Sequence, residues 1–215
     1  MTDYNTLIGA ATTAGSLKQM VNNSTVPAAN MVTKAEAWVY DRLRIREMIA
    51  GTTGTLTASI DTIPLPARFR DPVKFFFTPD GTSAKYTPRF KPLDQVLDEW
   101  SYDSAGVRVN SRPRSWAVTG TVMQLSSPAD LNYPGSLHYY QAMPALSTAT
   151  ASATNVLTDR YPVMFDAACT FQAYEFLRNE KEKVYWRAVA QREIDEANRR
   201  ADQAYAGSDL TMEVD

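Results

Sequence analysis

One histidine and one cysteine bound the chemistry available to this 215-residue chain. A Ser-His-Asp relay needs an imidazole, and His138, in Leu137-His138-Tyr139-Tyr140, is the only candidate. The alternation around it predicts a strand, where a lone histidine reads as a packed or hydrogen-bonded side chain rather than a base. Cys169 lies in an apolar helical pattern and reads as an inert small hydrophobe. A single cysteine also excludes an intrachain disulfide and a multi-cysteine zinc site. Paired carboxylates can cleave glycosides. The densest acidic group is Asp94, Asp98, Glu99 and nearby Asp103, and its first three members read as the solvated side of a short helix. There is no Gly-rich phosphate loop, His-x-x-x-His, Gly-x-Ser-x-Gly or Cys-x-x-Cys. No catalytic, metal-ligating or cofactor-binding residue is therefore assigned, and no cofactor is expected. A hydrolase using His138 or a carboxylate pair ranks last of three functional readings.

The second reading is a small nucleic-acid-binding module using Arg42, Arg44 and Arg46, with Arg68 and Arg70 as further cations. Against it, no basic stripe with interleaved aromatics accompanies the cluster, and cations at a helix end favour the dipole or pair with Asp41, Glu47 or another subunit's acids. Lys+Arg minus Asp+Glu is 22 − 24 = −2, so there is no global electrostatic case for gripping nucleic acid or an anionic membrane. No apolar run approaches the ~18 residues of a membrane span, and the first residues lack the pattern of a secretory leader. The expectation is a cytosolic, non-enzymatic protein.

The elements that position these residues follow from proline and glycine punctuation. Ten of twelve prolines fall between Pro64 and Pro144, and no glycine occurs between Gly135 and Gly207. The predicted fold is α+β: N-terminal helices and a long C-terminal antiparallel helix pair form a helical domain, into which an antiparallel β-rich middle is inserted. The boundaries read as N-terminal helices over 1–51, the insert over 52–146, a loop over 147–158, the helix pair over 159–206 and an extended tail over 207–215.

Within the first part, a weak helix is expected over 4–20, with Leu7, Ile8, Ala11 and Leu17 apolar and Gly9 and Gly15 unfavourable. A stronger helix is expected from Pro27 to Ile49, stopped by Gly51. In the middle, Leu56-Ala58-Ile60 and 73–77 read as strands, interrupted by Ile63-Pro64-Leu65-Pro66, and Pro79-Asp80-Gly81 reads as a turn. A short helix follows Pro92. Ser115–Val118 and Thr121–Leu125 form a hairpin about Thr119-Gly120, and Leu137, Tyr139, Gln141 and Met143 mark the last strand.

The segment 163–177 is apolar on all sides, and a helix of that kind must be covered on all sides. The sequence reading assigns part of that cover to another subunit, through Phe165, Phe171 and Tyr174 together with Trp186, Arg42 and Arg46. The last helix, about 180–205, has one apolar stripe: Trp186, Ala190, Ile194, Ala197, Ala201 and Tyr205. In the tail, Leu210, Met212 and Val214 alternate, as a frayed end or as a strand added to a partner's edge.

Taken in order, several segments resemble the head-to-tail adaptor (connector) proteins of tailed bacteriophages. They are Val26-Pro27, Ala35-Glu36-Ala37 and Asp41–Met48; then Ile63-Pro64-Leu65-Pro66-Ala67-Arg68-Phe69-Arg70; then Ser111–Val118; then Asn155-Val156-Leu157 and Arg160-Tyr161-Pro162 before the helix pair. The resemblance spans roughly residues 25–205. It implies a virion neck protein made in the host cytoplasm, with no catalytic residues. It further implies a dodecameric ring beneath the portal, tail or nozzle proteins below, and genomic DNA passing through the lumen without sequence-specific binding. A near-neutral ring suits sliding DNA, because each neutralised phosphate adds grip. The C-terminal helix pair and the tail residues Leu210, Met212 and Val214 are the expected portal contacts.

Overall fold

A computed structural model describes residues 4–9, 12–79, 84–146 and 154–208. The chain divides into two compact units: Met1–Met48 with Met143–Asp215, and Ile49–Ala142. The fold is α+β, with a helical unit interrupted by a β-rich one.

In the helical unit the expected helix over 4–20 is two short ones, α1 (Tyr4–Ile8) and α2 (Leu17–Met20). Gly15 has φ 78°, a conformation that leaves the helical path, and the Ser16 hydroxyl then accepts from Gln19 N at 3.2 Å to cap α2. Ala11 lies outside the described residues. Helix α3 (Ala28–Arg42) follows Pro27 and buries Met31, Val32, Ala35 and Val39 at helical spacing. It does not run on to Ile49. Leu43 is already extended (ψ 132°), and Leu43 and Ile45 are both buried with Arg44 between them, a period of two. A 3-10 turn at Arg46–Met48 leads into β1 (Ile49–Leu56), so Gly51 lies inside a strand rather than at a helix stop.

The expected loop over 147–158 contains a helix, α5 (Val156–Arg160), closed by a capping box: Asn155 accepts from Leu157 N and Thr158 N, and the Thr158 hydroxyl accepts from Asn155 N. Helix α6 (Pro162–Phe176) starts on its proline, and α7 (Glu180–Ser208) follows it. Between them Arg178 takes φ 55°, and the Asn179 side chain accepts from Glu182 N. Helix α6 packs against α2, α3, α5 and α7. Met164, Phe165, Ala167 through Ala173 are all buried by these neighbours in a single chain.

The β unit is a two-sheet sandwich. One sheet has the antiparallel order β1-β7-β3, with β3 at Phe69–Phe77 and β7 at Tyr133–Gln141. The other has the order β2-β6-β5-β4, from Thr62–Pro64, Val122–Leu125, Ser115–Thr119 and Arg89–Phe90. Its β4–β5 pair is parallel. The sheets meet over Phe75, Phe77, Trp116, Met123, Leu125 and Tyr133, all at most 3% exposed. Ala58 and Ile60 are not strand, because Ser59 turns the chain at φ 64° and donates its N–H to Ala129 O. Pro64, read as an interruption, sits in the edge strand β2, where its missing N–H costs no ladder bond. Gly120, at φ 57°, occupies the first of two central positions of the β5–β6 hairpin, where a primed turn needs positive φ. Helix α4 (Leu93–Asp98) follows Pro92 and buries Val96. Asp80 and Gly81 of the expected turn lie outside the described residues.

Candidate functional site

The arginine cluster is built into the end of α3. Arg42 Nη1 donates to Trp38 O at 3.0 Å, and its guanidinium lies 4.6 Å over the Trp38 ring. Arg44 Nη1 donates to the carbonyls of Tyr40, Asp41 and Leu43, at 2.9–3.4 Å. These are the carbonyls a helix end leaves without partners. Two of the three candidate cations of the nucleic-acid alternative are thus engaged with their own backbone, while Arg46 is exposed. Arg68 and Arg70 belong to the other unit.

The same corner carries a residue that the sequence reading missed. Asn198 of α7 accepts from Arg44 N at 2.7 Å and donates to Arg42 O at 3.0 Å. It takes the place of the next helical turn, which is why α3 stops at Arg42. Periodicity could not reveal it, since the partners lie more than 150 positions apart. Asn198→Ala leaves both backbone groups without this partner and is expected to cost about 1–2 kcal/mol, read as a lowered urea midpoint. An unchanged midpoint would remove Asn198 from the account of where α3 ends.

Glu36 is a second residue of this kind, with no local signal in the sequence. It is 4% exposed, and its carboxylate accepts from Leu146 N at 3.0 and 3.1 Å and from Asn155 Nδ2 at 2.8 Å. It therefore holds the residues that flank 147–153, a span outside the described residues. Burial raises the Glu36 carboxyl above its ordinary value of 4.5, against the opposing hydrogen bonds from Leu146 and Asn155. An acid whose value is higher folded than unfolded binds more protons in the fold. Its favourable contribution is complete below the unfolded value and declines as pH rises through the folded one. Urea midpoints taken from about pH 4 to about pH 8 should therefore fall with rising pH in the wild type relative to Glu36→Gln. Parallel curves would refute this.

The remaining chemical candidates serve the fold. His138 stacks on Phe76 with centroids 5.9 Å apart. Cys169 is fully buried, and desolvation pushes its thiol well up, away from the reactive thiolate. Asp94 and Asp98 are exposed, whereas Asp103 Oδ1 accepts from Ala105 N and Val107 N in a turn. Burial opposes ionisation of Glu99, but hydrogen bonds from Lys91 and Ser115 outweigh it and hold the carboxyl below its ordinary range. Among the described residues no cluster of three His, Cys, Asp or Glu is placed to hold a metal ion.

The interface candidates separate by exposure. Phe165 and Phe171 are 0% and 3% exposed inside their own chain. They are core residues, a correction to the reading that a neighbour covers them: the middle of α6, from Met164 to Ala173, is sheltered within one copy. Tyr174, Trp186 and Arg42 are half-buried, and Arg46 is exposed. The large apolar side chains left open on this helix pair are Val163, Phe176, Val184 and Tyr185, at 48–63% exposure. The tail residues Leu210, Met212 and Val214, and the Tyr205 side chain, lie outside what the structure describes.

The chain is thus a helical unit with an inserted two-sheet unit, in which His138, Cys169, Arg42 and Arg44 are engaged in packing or in capping the backbone. The SU10 adaptor protein family matches residues 2–212, nearly the whole chain, and the chain belongs to that family. It is thus a bacteriophage structural adaptor of the virion and not an enzyme, and it works through contacts with other phage structural proteins. No curated protein matches the chain. No helix among the described residues is long and apolar enough to cross a membrane.

Proposed function

We propose that the chain closes into a ring, expected to be a dodecamer, which joins the portal to tail or nozzle proteins and lets genomic DNA pass. Family membership supports the adaptor role. The observation that carries a lateral neighbour is the exposure of Phe176, Val184 and Tyr185 about the junction of two consecutive helices. Scattered apolar residues on a surface are ordinary, but three large ones within ten positions of one helix junction favour a protein contact. A repeated heterologous contact of that kind closes into a ring. Tyr174 and Trp186 extend this surface in the proposal, and Arg42 and Arg46, toward the Asn198 end of α7, form a second part of the interface. Passage of DNA without grip is supported by the net charge of −2 and by the engagement of Arg42 and Arg44 with their own helix, which also weakens the reading as a nucleic-acid-binding module.

Size-exclusion chromatography with light scattering, with and without portal, tests the assembly. The wild type is expected to form rings, at least when portal is present. Val184→Asp combined with Tyr185→Asp should shift the population to monomer while leaving the circular dichroism unchanged. A strictly monomeric wild type that ignores portal would overturn the proposal.

A further inference from the structure

Strand β1 is an edge strand of unusual character. Its sequence, Ile49-Ala50-Gly51-Thr52-Thr53-Gly54-Thr55-Leu56, has no charge and no proline, and it pairs with β7 over eight residues without a register shift. Among the described residues no strand pairs with its outer side. Folded proteins normally blunt such edges with charges, prolines, bulges or short length. The other edges here have those devices. Strand β3 carries Arg70, Asp71, Pro72 and Lys74 and two register shifts, β2 is three residues long and includes Pro64, and β4 is two residues long and includes Arg89.

A groove runs beside this open edge. It encloses about 370 Å³ between β1 and Ile63–Pro66, over Leu56, Phe75, Met123 and Leu137. Its cause is legible in the pairing. Thr52, Gly54 and Leu56 oppose Leu137, Gly135 and Tyr133, and the buried Leu56, Leu137 and Tyr133 mark this as the inward face. At Gly135 the missing side chain is replaced by Leu56, whose Cδ1 lies 3.1 Å from where a Cβ would stand. At Gly54 nothing lies within 4 Å of that position. The inward face therefore has one unfilled place, next to a row of unpaired backbone groups.

We propose that this slot receives residues 209–215 of a neighbouring copy as an added β-strand. Residues 209–215 follow α7 directly, and seven extended residues span about 23 Å against about 26 Å for the eight of β1. Leu210, Met212 and Val214 fall on one face, which enters the groove over Gly54, while Thr211, Glu213 and Asp215 face water. The tail thus has a destination in the ring itself, in place of the portal contact expected from sequence. The ring reading supplies only the identity of the neighbour.

Two measurements on the full-length fold test this. First, a labelled peptide of residues 207–215 is titrated onto chain lacking 209–215, and anisotropy is read. Binding is expected, and Gly54→Arg, which fills the open place without touching the core, should weaken it at least about tenfold. Second, chain carrying Thr53→Cys is mixed with chain carrying Thr211→Cys or Glu213→Cys under mild oxidation. Covalent dimers on a non-reducing gel are expected, and the buried Cys169 does not compete. Absence of peptide binding, or cross-links found only within one chain bearing both substitutions, would overturn the proposal. Rings by light scattering without binding or cross-link would sink this inference and leave the ring standing. Binding and cross-link without rings would do the reverse.

Discussion

Phe171→Asp is expected to unfold the helical unit at ambient temperature. Phe171 is 3% exposed and meets Trp38 edge-on, with ring centroids 4.8 Å apart. Its neighbours on α6, Thr170 and Gln172, are also buried, so no rotation of the helix brings position 171 to water. Aspartate there removes the aromatic contact and buries a carboxylate with no cation shown beside it. Truncating a buried phenylalanine costs about 3–5 kcal/mol, and the buried charge adds to that. The sum consumes most of the ~5–15 kcal/mol that stabilises an ordinary domain. Insoluble protein, or loss of the helical circular dichroism, is the expected readout. Phe171→Leu keeps the apolar volume and should remain folded with a modestly lower midpoint. A soluble, cooperatively melting Phe171→Asp would show that position 171 is not core.

Trp116→Ala should have the second-largest effect, in the β unit. Trp116 is 2% exposed, centred between the sheets, with Phe75 at 5.6 Å and Phe90 at 4.9 Å. Deleting the indole leaves a cavity that the paired strands β5 and β6 cannot close, at about 3–5 kcal/mol. Urea unfolding and amide exchange should show the loss in residues 49–142. Trp116→Phe should recover much of it. Unchanged exchange in the strands would exclude Trp116 as the centre of that core.

Much of the architecture was legible because its signals are local. The α+β class, the β-rich middle, the short helix after Pro92, the β5–β6 hairpin and the helix pair after Pro162 follow from proline, glycine and apolar period. What failed were choices between two local readings. Leu43, Ile45 and Ile49 fit the face of a longer helix, yet Asn198 supplies the hydrogen bonds that end α3 at Arg42. The loop expected over 147–158 gives way to helix at Val156, because Asn155 and Thr158 close a capping box there, and Asn155 also donates to Glu36. The Arg42–Arg46 run, by contrast, reads from sequence as a helix-end cluster in preference to a phosphate site, and Arg42 and Arg44 do engage the carbonyls of that end. The site was the least legible part, because surfaces are defined by what remains exposed after packing.

From sequence alone came the family resemblance, the class of fold and the poverty of catalytic groups, since these depend on residue identity and order along the chain. Tertiary structure decided which apolar residues are spent. The sequence shows that α6 is greasy all round, but only the packing of α2, α3, α5 and α7 about it shows that its middle, from Met164 to Ala173, is sheltered within one copy while Val163 and Phe176 at its ends stay open. It also moved the unsatisfied surface to Val184, Tyr185 and the open edge of β1. The physical reason is that burial is a property of contacts between segments distant in the chain, and no window of sequence contains both partners.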